Sequence, residues 1–225
     1  MTLEFLNIVV YAQTTLSAFV AFFCLIKFRS RKRYVRLIGF VFLLSFVVNT
    51  VAMTLYHCGL GRYINIPQSA YDIAALAMLT LVFHNALNKR YGRAFLIIAL
   101  CFLAFSLLNL LFLQKEGINS YNKFLSSLIV TCYCVFYFYR LMIELPSVYL
   151  QRMPMFWFTS AFLIYNAGTI FLFAFTPYLT NVLKNDLITY WSFHNFLSII
   201  EHLLILIGLY YDLNARSEGP DIVSR

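Results

Sequence analysis

Charge is what this chain has least of. Asp, Glu, Lys and Arg make up 12% of its 225 residues, about half the share found in a soluble globular domain. With 62% hydrophobic residues and a mean hydropathy of +0.78, the composition excludes an ordinary water-soluble core. No polar stretch is long enough to make a second domain, so one membrane domain over 1–211 and a polar tail over 212–225 are expected. The nine acidic residues leave a net charge of +8. Those charges sit in short connections between apolar runs rather than on one soluble face, so no nucleic-acid partner is expected.

Other absences narrow the reading further. Cys24, Cys58, Cys101, Cys132 and Cys134 contain no C-x-x-C, and four of the five lie inside apolar runs. That excludes the usual metal cluster and a disulfide framework. There is no Gly-rich phosphate loop, no H-E-x-x-H and no supported Ser/His/Asp order, so no catalytic residue is expected. The last apolar run has no lysine to form a Schiff base, which excludes a retinal pigment. Neither a basic start nor a small-residue cleavage site accompanies the first run, so it is expected to be a retained helix. Proline is confined to run ends and connections, and Gly168 and Gly208 are the glycines well inside the runs. This disfavours the broken helices of a transporter.

What remains is a series of seven apolar runs, near 6–26, 37–56, 67–87, 94–113, 122–143, 155–175 and 191–211. A helix of about 20 residues crosses a hydrocarbon core of about 30 Å. The expected fold is therefore all-α, a polytopic bundle of seven transmembrane helices. The connection over 176–189 is long enough for an interfacial helix around 178–186. Of the 17 Lys and Arg, Arg62, Lys115, Lys123 and Lys184 fall on one side of this bundle and the other 13 on the opposite side. The positive-inside rule then places the N-terminus outside and the C-terminus in the cytoplasm. Six of the ten residues from Lys27 to Arg36 are basic. Arg29, Arg31, Lys32, Arg33 and Arg36 in this loop are expected to face anionic lipid.

The seventh run, Trp191 to Tyr211, carries Glu201 as the eleventh of its 21 residues. A carboxyl there has no aqueous boundary within reach, and ionisable groups at such depth tend to mark function. At 100° per residue, Ser198, Glu201 and His202 share one face with His194 and Asn195. Asn49 and Asn166 fall near the same midplane depth. Together they suggest a polar site in which a protonated Glu201 donates a hydrogen bond. Asparagines alone serve as well for interhelical hydrogen bonding, but a glutamine would do that work without an ionisable proton. His84 lies on a stripe with Thr80 and Asn88 nearer the cytoplasmic end. It is about 9 Å from the depth of His202 at 1.5 Å per residue, a poor match for two ligands of one haem. His57, His194 and Asp72 share an outer depth that would suit an outward-facing polar or metal site. The fourth and fifth runs contribute less.

At Pro154-Met-Phe-Trp-Phe158, Tyr165-Asn166 and Trp191-Ser-Phe-His-Asn195, the chain resembles uncharacterised bacterial seven-helix membrane proteins. Some of these look like the sensory membrane modules found with histidine kinases. The resemblance covers helices six and seven and carries no catalytic motif. It implies a sensor in a bacterial cytoplasmic membrane with a separate signalling partner, because the tail is too short for a kinase. The expected function is thus a receptor-like module with a midplane pocket around Glu201. The rival is a small proton-coupled carrier using Glu201 and His202, and a haem- or quinone-binding protein comes third. No internal repeat supports the carrier, since the transporter-like dipeptide Pro67-Gln68 occurs once.

Overall fold

Each of the seven apolar runs folds as a helix. The computed structural model describes residues 3–26, 31–60, 63–87, 91–113, 119–144, 149–182 and 187–217. The helices are α1 (Leu3–Leu25), α2 (Arg33–His57), α3 (Asn65–Ala86), α4 (Gly92–Leu108), α5 (Ser120–Glu144), α6 (Pro154–Val182) and α7 (Leu187–Ser217). A π-helical turn, Asn109–Leu113, prolongs α4, and a 3-10 turn, Leu150–Arg152, precedes α6. Each helix, α4 taken together with its π-helical turn, contains a stretch of 21 to 25 residues long and apolar enough to cross a membrane. This is an integral membrane protein of the all-helical class.

Several helices outrun their apolar stretches. α2 begins at Arg33 rather than near 37, α6 continues past 175 to Val182, and α7 covers Leu187–Ser217 rather than 191–211. Hydropathy marks only the part that lies in hydrocarbon, whereas the i→i−4 ladder continues into the interface. The interfacial helix expected around 178–186 is, up to Val182, a continuation of α6, and 183–186 lie outside the described residues. Asp212, the first residue of the expected tail, is likewise inside α7.

Seven crossings put the start of α1 and the stop of α7 at opposite ends of the bundle, the N-end and the C-end. Six helices close a ring in the order α1, α2, α3, α5, α6, α7, with α7 packed back on α1. α4 stands outside this ring against α3 and α5. At the C-end the crossings are close. A Cβ on Gly39 of α2 would stand 2.6 Å from Cys24 Cβ of α1. One on Gly208 of α7 would stand 2.5 Å from the Phe158 ring of α6. Small residues at such crossings let backbones approach without the hydrophobic drive that water supplies to soluble bundles.

Burial is divided by height. The C-end half is packed with Val20, Cys24, Val35, Ile38, Val82, Phe83, Phe158, Phe162, Ile205 and Leu209. The N-end half buries mostly polar side chains, among them Ser69, Asp72, Asn109, Asn122, Ser127, Asn166, Asn195 and Ser198. α1 buries residues only from Thr14 towards its C-end, and α2 only Val35 to Phe42. These two helices therefore stop contributing to the core halfway along, while α7 has buried residues from Tyr190 to Asp212. The bundle is mainly apolar and tight at the C-end, and polar and loosely covered by α1 and α2 at the N-end.

Candidate functional site

α7 presents the face predicted for it, with Ser198, Glu201 and His202 all buried. The imidazole of His202 is held at both nitrogens. Its Nδ1 donates to the Ser198 carbonyl at 2.5 Å, since a carbonyl can only accept. In the neutral ring Nε2 is then the acceptor, and the Ser17 hydroxyl of α1 lies 2.9 Å from it. Phe42 of α2 packs edge-on to the ring at 4.8 Å. Ser17 in turn lies 3.5 Å from the Ser45 hydroxyl of α2, and Asn49 donates to Ser45 at 3.4 Å. The Tyr71 hydroxyl of α3 is beside Ser45. A polar line therefore runs from α7 through α1 and α2 to α3.

Glu201 adjoins this line from inside the ring. Its side chain is buried, and among the described residues it makes no hydrogen bond. Tyr71 of α3, Cys134 of α5 and Tyr165 of α6 lie within its electrostatic reach. The interior placement agrees with the wheel, but the expected hydrogen bond to Asn49 or Asn166 is not made. Asn49 is only partly buried and bonded to Ser45. Asn166 donates to the Phe162 carbonyl of its own helix at 2.8 Å. Thr169 likewise bonds the carbonyls of Tyr165 and Asn166. Short polar side chains on a helix satisfy themselves locally in this way, which depth alone does not reveal.

The outer residues assort differently from the expected trio. His57 is exposed at the end of α2, its ring 6.0 Å from that of Tyr56. Among the described residues no three His, Cys, Asp or Glu gather as a metal-ligand set, so His57, His194 and Asp72 do not form one. Asp72 instead receives Lys123 Nζ of α5 at 3.1 Å. His194 stands among Tyr165, Phe173 and Trp191, with ring centroids at 5.7, 5.5 and 5.5 Å. Lys123 lies 5.8 Å from the Phe173 ring, linking the two groups. Behind Asp72, Asn119 donates to Ser69 at 2.6 Å, and Asn109 donates to Asn119 at 2.6 Å and to Asn122 at 3.2 Å. Asn109 belongs to the π-helical turn, where the helix widens. Asp72 Oδ2, Asn122 Nδ2 and His194 Nδ1 are shielded and have no hydrogen-bond partner. Each such group ordinarily costs about 1–3 kcal/mol.

The fourth and fifth helices thus supply more polarity than their runs suggested, through Asn109, Asn122, Lys123 and Ser127. Lys123 is the one lysine in the first turn of an apolar helix, a signal that charge counting by side absorbed. His84 stays apart from Glu201: near the C-end its ring lies 6.0 Å from that of Phe95, and a Cβ added at Gly92 would stand 3.1 Å from its Cε1.

The basic loop also needs a correction. Arg29 lies outside the described residues, Lys32 and Arg33 are exposed, and Arg36 is partly buried. Arg31 does not face lipid. Its side chain is buried against Asp212 of α7, with Nη1 2.6 Å from Oδ2. It also donates to the Phe23 carbonyl at 2.9 Å and the Ile26 carbonyl at 3.3 Å, capping the last turn of α1. A guanidinium near a helix C-terminus meets both the orphan carbonyls and the helix dipole. The sequence could not show that a cation in the first loop and an acid 181 residues later are neighbours.

Two concavities lie elsewhere. One of about 320 Å³ is lined by Tyr149, Leu150, Gln151, Phe156 and Trp157 near the C-end, and one of about 150 Å³ lies between α3 and α4. No family model, curated protein or solved structure matches this chain.

Proposed function

We propose that this chain is a membrane receptor module whose input site lies in the N-end half and whose output leaves from the C-end. The observation that carries the reading is the vertical division of the interior. Polar side chains reach from the N-end down to Glu201 and His202, and below them a mainly apolar layer begins at Ile205, Phe158 and Phe162, with Thr159 and the Arg31–Asp212 pair buried in it. A carrier must open to both ends in turn. Here the C-end half is close-packed at Gly39 and Gly208 and tied by the buried Arg31–Asp212 pair. One-sided access suits a sensor.

α7 supplies the connection. Glu201 and Asp212 are on the same uninterrupted helix, about 16 Å apart at 1.5 Å per residue. Occupation or protonation at Glu201 changes interactions that are strong in a low-dielectric interior. A shift of α7 is passed by Asp212 and Arg31 to the α1–α2 connection. The excess of Lys and Arg at the C-end supports a cytoplasmic C-end and an outer N-end, in what we read as a bacterial cytoplasmic membrane. Exposed Lys32 and Arg33 then contact anionic lipid and a separate acidic signalling protein.

The test is reconstitution into liposomes, with proton and solute flux measured alongside the thermal unfolding midpoint. The expected outcome is no coupled flux and a pH-dependent midpoint that loses its pH dependence in Glu201→Gln. Substrate-coupled flux abolished by Glu201→Gln would establish a carrier instead.

A further inference from the structure

The cluster nearer the N-end than Glu201 is a ligand site in its own right, and its assignment rests on the receptor reading above. We propose that Asp72, Asn122 and Lys123, walled by the rings around His194, bind a small zwitterion bearing an ammonium and a carboxylate, such as an amino acid. Three helices bring unmet groups to this place. Asp72 Oδ2 on α3 is an acceptor without a donor, and Asn122 Nδ2 on α5 is a donor without an acceptor. His194 Nδ1 on α7 is also without a partner. Lys123 spends one contact on Asp72 Oδ1, which leaves an ammonium with further N–H groups to give.

The charges decide the class. Asp72 and Lys123 form a neutral pair with side chains 7% and 17% exposed. A ligand that is only a cation or only an anion would bring an uncompensated charge into this largely buried place. A zwitterion extends the pair without changing its net charge. Its ammonium meets Asp72 Oδ2, and its carboxylate meets Lys123 and Asn122 Nδ2. Such charge-assisted bonds are roughly twice as strong as neutral ones, which favours a zwitterion over a polyol with the same number of hydrogen bonds. Phe173, Tyr165 and Trp191 surround His194 and offer ring faces to the apolar part of the ligand.

The site has a built-in reporter. Trp157 and Trp191 are the two tryptophans of the chain, so Trp157→Phe leaves Trp191, whose ring is 5.5 Å from His194, as the sole one. Full-length Trp157→Phe protein in phosphatidylcholine nanodiscs is titrated with glycine, glutamine and phenylalanine, and with ethylamine, propionate and sorbitol as partial analogues. At least one amino acid should change the Trp191 emission saturably, and the three analogues should not. Asp72→Asn and Lys123→Gln should each weaken that binding about tenfold or more, and each should lower the unfolding midpoint, because the partner is left buried without compensation. Where a single variant loses the parent spectrum, the Asp72→Asn/Lys123→Gln double variant replaces it and should show the same loss. Glu201→Gln should still bind. No saturable response to any amino acid, an equal response to ethylamine, propionate or sorbitol, or undiminished affinity in the Asp72 and Lys123 variants would overturn the proposal. So would loss of binding in Glu201→Gln alone. The receptor reading stands or falls separately, on flux in liposomes.

Discussion

Removing either member of the Arg31–Asp212 pair should be among the most damaging single changes in the protein. The two side chains are 1% and 2% exposed, so solvent screening does little for the charge left behind. Breaking a buried pair from one side costs about 3–5 kcal/mol, because the survivor is buried without compensation. Arg31→Met should lie at the top of that range. It also strips donors from the Phe23 and Ile26 carbonyls, each worth about 1 kcal/mol. Asp212→Asn should cost less, since Arg31 keeps both carbonyls. The double variant Arg31→Met/Asp212→Leu should recover part of the loss, because apolar side chains suit a site beside the buried Cys24. The assay is unfolding in mixed micelles with increasing SDS, read by circular dichroism, as a double-mutant cycle. A coupling energy of at least about 2 kcal/mol is expected. Additive singles, each costing under about 1 kcal/mol, would show that the pair does not tie α7 to the first connection.

Four further outcomes follow from the same geometry. Ser17→Ala should cost about 0.6–2 kcal/mol in the same unfolding assay, the range for a hydrogen bond between membrane helices, and His202→Phe should make it silent. Gly208→Ala should destabilise by about 1–3 kcal/mol, because the new Cβ meets the Phe158 ring at 2.5 Å and Trp157 Cβ at 3.1 Å. In a cysteine-free background, Ser198→Cys should react with a membrane-impermeant maleimide supplied from the N-end, whereas Ile205→Cys, about two turns deeper, should not. Labelling of both would mean that the lower layer is not dry. A reporter fused after Leu60 should read as extracytoplasmic and one fused after Ser217 as cytoplasmic, and the reverse would invert the orientation.

Hydropathy made the seven helices legible because lipid demands a continuous apolar run for each crossing, and these runs are cleanly separated. The inward face of α7 was legible for a related reason: Ser198, Glu201 and His202 are costly towards lipid and coincide at helical spacing. The ring order and the exclusion of α4 from it were not legible. Those depend on which faces dock, and Leu-rich faces look alike against lipid or protein. Depth alone suggested that Asn49, Asn166 and Glu201 meet, yet Asn166 spends its donor on its own backbone. Lys123 and Arg31 were read as topology signals, because net counts by side discard the position of each cation. Their acids, Asp72 and Asp212, lie 51 and 181 residues away in the chain; the first pairing needs α3 beside α5, and the second needs α7 packed back on α1.

Closure of that ring has a consequence for how the protein is made. The helix that seals α1 is α7, the last of the seven to leave the ribosome. Until it arrives, Ser17 lacks His202, Arg31 lacks Asp212, and the polar flank of α6 has no neighbour on one side. The nascent six-helix intermediate therefore holds an unmatched guanidinium and a row of hydroxyls next to lipid. Such a species resembles the client of a membrane insertion factor or a quality-control protease. A truncation before Leu187 should be degraded rather than accumulate as a stable smaller bundle.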